Sequence, residues 1–131
     1  MEITSEKALI EAPIKEVFEY LSDAANIEAL LPEDKISDFR SDENGCTFKV
    51  QGGFTISLLH VYKVFPKEIN MKSGEKAPFD YTLTIRLKEV DGHTEGHMNF
   101  EGDVNMFLRM MVEKPLTALF NSMAKKLQEQ F

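Results

Sequence analysis

Three histidines, three tyrosines and a single cysteine are the side chains of this sequence best suited to acid–base, metal or nucleophilic chemistry. His93, Glu95 and His97 fall at i, i+2 and i+4, which on a β-strand puts all three on one face as a donor set for a divalent metal. Any half-exposed strand beside a turn carries the same alternation, so no metal is assigned. His60 and Tyr62 share the phase of Phe54, Ile56 and Leu58, and facing inward they would orient a ligand within an apolar pocket. Leu59 and Val61 make the opposite phase apolar as well, so either side can be the inner one. Tyr81 is a third polar group of this kind, and a cyclase or hydrolase would draw on these three. Cys46 alternates with Phe48 and Val50 and packs as a small apolar residue without an adjacent base. Gly52-Gly53 lacks the downstream pattern of a phosphate cradle and reads as a sheet bend. The sequence assigns no catalytic residue and no cofactor.

The elements that must position these groups follow from periodicity. Glu2 to Glu11 reads as one strand ending at Ala12-Pro13, where proline opens a helix. Ile14, Val17, Phe18 and Leu21 form one apolar helical face. Ser22-Asp23 offers a capping oxygen to a second short helix that buries Ile27, Leu30 and Leu31 and closes at Pro32. From Lys35 to Val104 the period is two, and Asn44-Gly45, Gly52-Gly53, Pro66, Ser73-Gly74, Pro78 and Asp91-Gly92 punctuate antiparallel hairpins. Tyr81, Leu83, Ile85 and Leu87 point one way and Thr82, Thr84, Arg86 and Lys88 the other. Gly96, Met98, Phe100, Gly102 and Val104 share the buried face of the next strand, where the two glycines are expected to leave space.

The last segment is a helix beginning near Asn105. Val104, Phe107, Leu108 and Met111 define one apolar face. Leu116, Leu119, Phe120, Met123 and Leu127 define a second, rotated by roughly 100° from the first at 100° per residue. Pro115 lies between them and is expected to kink or restart the helix so that both faces are buried. Met106 and Met110 lie on neither face; they line a cavity, meet a partner or stay exposed.

A chain of 131 residues with 43% hydrophobic and 28% charged residues has the size of a single domain, 1–131, with its own core. The net charge of −7 disfavours nucleic acid and anionic lipid as partners. One cysteine excludes an intramolecular disulfide, no apolar run reaches the roughly 20 residues of a membrane span, and no leader pattern opens the chain; a cytoplasmic location fits best.

The stretch IEAPIKEVFEYLSDAANIEALLP, Ile10 to Pro32, followed by a hairpin sheet and a final long helix, resembles the START-like and Bet v1-like superfamily, SRPBCC. Leu30 to Pro32 and the closing helix are similar to its polyketide cyclase-like branch and to the branch named for a subunit of carbon monoxide dehydrogenase. The resemblance implies an α+β helix-grip fold, with a curved antiparallel sheet wrapped around the C-terminal helix. It also implies an apolar cavity between them that holds a lipid, polyketide-like or aromatic molecule. The expected lining is Phe54, Ile56, Leu58, His60, Tyr62, Tyr81, Leu83, Ile85, Met98, Phe100, Met106, Phe107, Met110 and Met111. Binding of a small hydrophobic ligand without catalysis is the leading expectation. The alternatives are a cyclase- or hydrolase-type enzyme in the same cavity, or an interaction module or homodimer using Met106, Phe107 and Met110.

Overall fold

Alternating apolar and polar residues lay out one antiparallel sheet, and the helical periods before and after it supply what packs inside. The computed structural model describes residues 1–51, 53–75 and 77–131. Its elements are β1 (Glu2–Thr4), β2 (Ala8–Ile10), α1 (Ile14–Ser22), 3₁₀ helices at Ala24–Leu30 and Glu33–Lys35, β3 (Ile36–Asp42), β4 (Gly45–Val50), β5 (Phe54–Val64), β6 (Glu68–Lys72), β7 (Tyr81–Val90), β8 (His93–Gly102) and α2 (Met106–Glu129). The sheet order is β1-β8-β7-β6-β5-β4-β3, with β2 also paired to β8. This curved sheet gripping a C-terminal helix is the helix-grip arrangement of the α+β class.

Local chemistry explains the entry segments. Val17, Phe18 and Leu21 are buried on α1 as their spacing requires. The Asp23 carboxylate accepts from the Ala25 N–H at 3.0 Å and caps the first 3₁₀ helix. Ala24, Ile27 and Leu30, buried at intervals of three, match the three residues per turn of that helix. The N-terminal strand is two strands rather than one. Ser5 interrupts it, accepting from the Met98 N–H at 2.9 Å through its hydroxyl. The register against β8 therefore slips by one residue between Thr4↔Asn99 and Ala8↔Gly96. At the β3–β4 turn, Gly45 is fixed by close approach: a Cβ there would lie 2.0 Å from the Leu58 carbonyl oxygen. Of the expected Gly52-Gly53 bend, Gly52 lies outside the described residues, while Gly53 sits in a turn at φ 97°.

α2 runs as one continuous helix through Pro115, not as two segments. Proline removes the N–H that would bond the Met111 carbonyl, but Met111 is 59% exposed, so solvent can replace that donor. The Asn105 side chain caps the helix by accepting from the Leu108 N–H at 2.8 Å. Without a restart at Pro115, only one apolar face reaches the core: Val112, Leu116, Leu119, Phe120, Met123, Ala124 and Leu127. This half is tied down at both flanks. The Asn121 and Gln128 side-chain oxygens accept from the N–H groups of Glu6 and Leu9, each at 2.8 Å, and Lys126 donates to the Leu31 carbonyl at 2.9 Å.

Candidate functional site

The inner face of the sheet is filled. Ile56, Leu58, Tyr81, Leu83, Ile85, Met98 and Phe100 are buried in the core cluster, and Phe54 packs half-buried at its margin. They do not wall an open cavity. The gap bounded by Phe54, Ile56, Pro78, Phe79, Tyr81, Phe100 and Leu116 has no room for a water molecule. The space expected at Gly102 is taken by Phe79, whose ring would stand 2.8 Å from a Cβ there, and Leu87 reaches to 3.0 Å at Gly96. Phe79 comes from the loop before β7, and it stacks edge-on against both Tyr81 and Phe100.

The three polar candidates do not converge. A one-residue bulge at Val61 shifts the β5–β6 register, so that His60 pairs with Met71 while Tyr62 pairs with Asn70. His60 therefore keeps the phase of Ile56 and Leu58, whereas Tyr62 turns to the outer face, 46% exposed. There its hydroxyl donates to Glu68 Oε2 at 2.8 Å. Tyr81 is buried, and its hydroxyl donates to the Ser57 carbonyl at 2.8 Å while accepting from the Ser57 N–H at 2.9 Å. β6 ends at Lys72, opposite Leu59, so this phenol satisfies the next strand groups that β6 no longer reaches. Ser57 is three positions along β5 from His60, roughly 10 Å at strand rise.

His60 is half-buried, and its Nε2 has no hydrogen-bond partner among the described residues. Burial first, then the Lys63 ammonium, holds its pKa below the usual 6.5. Cys46 is inert at neutral pH, because burial pushes its thiol up to about 12. Glu95 is engaged by Lys7 at 3.0 Å, and no cluster of three or more His, Cys, Asp or Glu with metal-binding geometry is found among the described residues.

A partly enclosed space lies one layer outward, between α2, the start of β3 and the end of β4. A cleft of about 380 Å³ is lined by Pro32, Lys35, Ile36, Val50, Gln51, Pro115, Ala118, Leu119 and Ser122. Its origin is simple. Pro115, Ala118 and Ser122 recur at i, i+3 and i+7, so α2 turns its smallest side chains toward the sheet edge and leaves a gap that leucine or methionine would fill. Leu119, Ile36 and Val50 form an apolar floor, and Lys35, Gln51 and Ser122 add polar groups. Sequence reasoning missed these residues; the row of small residues on α2 is the signal that marks them. A larger depression of about 810 Å³ near Lys72, Asp80, Glu101 and Asp103 is shallow, mostly polar at its named positions and open to solvent.

Met106, Phe107, Met110 and Met111 line neither space. They are 72%, 74%, 78% and 59% exposed on the first turns of α2. The inward face there is Leu108 and Val112, not Phe107 and Met111.

The chain is similar in fold to several solved structures. The protein XoxI from Bacillus cereus aligns with a TM-score of 0.76 at 17% identity, covering 99% of this chain and 94% of that one. The KanY protein gives 0.79 at 12% identity, covering 99% and 96%. TTHA0849 from Thermus thermophilus gives 0.75 at 17% identity, again covering 99% and 96%. At these identities the likeness is one of fold alone. No protein-family model and no curated protein sequence matches the chain. Among the described residues, no helix is long and apolar enough to cross a membrane.

Proposed function

We propose that this protein is a cytoplasmic binding protein of the START-like, SRPBCC type that holds one small, mainly apolar molecule in the cleft between α2 and the β3–β4 edge. The observation that carries the reading is the cleft itself, about 380 Å³ with an apolar floor and three polar groups. That volume is toward the small end of the roughly 300–1,000 Å³ typical of ligand sites, which suits a compact ring system or a short chain better than a long lipid. Affinity comes from removing apolar surface from water against Ile36, Val50 and Leu119. Orientation comes from the Lys35 ammonium, the Gln51 amide and the Ser122 hydroxyl, which favour a ligand with an acceptor or anionic group at one end. The reading includes no catalytic step: the Tyr81 hydroxyl is committed to Ser57, and Tyr62 is on the opposite face.

The test is titration with the fluorescent probe 1-anilinonaphthalene-8-sulfonate, which pairs an apolar ring system with one anionic group. Saturable one-to-one binding is expected. It should be abolished in Ala118→Trp, which fills the cleft from a solvent-exposed helix position, and retained in Met110→Glu. Undiminished binding to Ala118→Trp removes the proposal.

A further inference from the structure

Of the side chains that line the cleft between α2 and the β3–β4 edge, Lys35 alone is charged, and it makes no ion pair among the described residues. Its neighbours Glu33 and Asp34 line other depressions, Glu33 between the first 3₁₀ helix and β3, Asp34 beside Lys49. A second ammonium approaches from the helix. Leu119, Ser122 and Lys126 recur at i, i+3 and i+7, so the side of α2 that walls the cleft carries Lys126 one turn beyond Ser122. Lys126 is half-buried, and its Nζ donates to the Leu31 carbonyl at 2.9 Å, next to Pro32 in the cleft wall. An ammonium has three N–H donors. Only one is used here, and no carboxylate pairs with Lys126 among the described residues. The turn over residues 31–35 fixes the other lysine at the same end. The Lys35 N–H donates to the Pro32 carbonyl at 3.0 Å, and the Lys35 carbonyl accepts from the Gln51 N–H at 2.8 Å.

Taking the cleft proposed above as the binding site, we infer that it selects an organic anion, the acidic head lying between Lys35 and Lys126 at the Pro32 end and the apolar body on Ile36, Val50 and Leu119. This narrows the ligand from any molecule with a polar end to one carrying a carboxylate, a sulfonate or a similar group. Two ammonium groups without a counter-charge, one of them half out of water, gain charge-assisted hydrogen bonds from such a head. A neutral molecule of the same shape leaves both uncompensated and binds more weakly. The net charge of −7 does not oppose this, because at 0.15 M salt distant carboxylates are screened beyond about 8 Å, whereas the two ammonium groups act at contact range. Lys126 then has two roles. Its bond to Leu31 ties α2 to the end of the first 3₁₀ helix, and its free donors set the charge preference of the cleft.

Paired titrations with 1-anilinonaphthalene-8-sulfonate and its neutral counterpart N-phenyl-1-naphthylamine test this, since the two differ by the sulfonate. The sulfonate probe is expected to bind at least about tenfold more tightly, and Ala118→Trp should abolish the binding of both. Lys35→Gln and Lys126→Gln should each weaken the sulfonate probe about fivefold to tenfold and shift the neutral one by less than about twofold. Glutamine at 126 retains an N–H donor for the Leu31 carbonyl, and urea unfolding checks that the fold is kept. Lys35 is exposed, so its arm of the test does not depend on that check. Equal affinities for the two probes, both blocked by Ala118→Trp, overturn the inference and leave the cleft as a binding site. So does either Lys→Gln variant that binds the sulfonate probe normally, or a Lys126→Gln variant that weakens both probes alike, which marks a structural tie only. Binding that Ala118→Trp leaves intact removes the cleft as the site, and the charge preference with it.

Discussion

From Val112 onward, α2 buries a residue at nearly every third or fourth position and ties its flanks to β2, the segment before it and the first 3₁₀ helix. Before Val112, the same continuous helix leaves its methionines and Phe107 in solvent and rests on Leu108 alone, itself half-buried. The two halves do not divide by apolar content, since five of the six residues from Met106 to Met111 are apolar, a larger share than in the half that follows. They differ in whether the sheet reaches them. The sheet-backed half stabilises the fold; the overhanging half contributes little and remains available for contact.

Core substitution should separate the halves most sharply. Phe120→Ala removes a ring that packs 5.1 Å from Phe100 and should cost about 3–5 kcal/mol in urea unfolding. Met110→Ala, whose side chain meets solvent instead of core, should stay within about 0.5 kcal/mol. The next largest effect tests the sheet that backs the anchored half. Tyr81→Phe leaves the Ser57 N–H and C=O without their partner and should cost about 1–3 kcal/mol.

Smaller effects resolve the helix end by end. Gln128→Ala removes the acceptor for the Leu9 N–H and should lower global stability by about 1 kcal/mol. Asn105→Ala costs a similar cap, about 1 kcal/mol, but its effect should appear locally. Amide hydrogen exchange should accelerate over residues 106–111 and change little after Val112.

The response to pH is the least specific prediction and has a definite sign at each end. Burial raises the Cys46 thiol from 9.0 to about 12 and also raises Tyr81 above 10.0. A group raised on folding stabilises below its unfolded pKa, so the contribution of these two groups should be full below pH 9 and fall as pH rises above it. His60 is lowered by burial and by Lys63; His97 is lowered by burial, then by Arg86 and Lys7. Their contribution is full above pH 6.5 and should be lost as pH falls below it. Thermal melts from pH 4 to 11 check both limbs, and His60→Gln should flatten the acid one.

Much of this architecture is legible in the residues. Asp23 and Asn105 cap where capping chemistry requires, and the alternation of Tyr81 to Lys88 gives the correct inner face. What was not legible depends on contacts distant in sequence. Nothing local marks Val61 as a bulge, because Leu59 and Val61 make both phases of β5 apolar; pairing with β6 decides, and it sends Tyr62 outward. The glycines at 96 and 102 suggested space, but Phe79 and Leu87 arrive from elsewhere to occupy it. Pro115 marks a local weakness, yet a helix whose freed carbonyl belongs to an exposed residue need not break there. The cleft itself was hidden because it is made by small side chains at Ala118 and Ser122 rather than by any reactive one.

The most direct test of the binding account is an amide NMR titration of the protein with 1-anilinonaphthalene-8-sulfonate. Saturable shifts are expected, centred on Ile36, Val50, Gln51, Ala118, Leu119 and Ser122, with the inner sheet residues Leu83, Ile85 and Met98 undisturbed. Shifts confined to Met106–Met111, or spread over the surface without saturation, would contradict it.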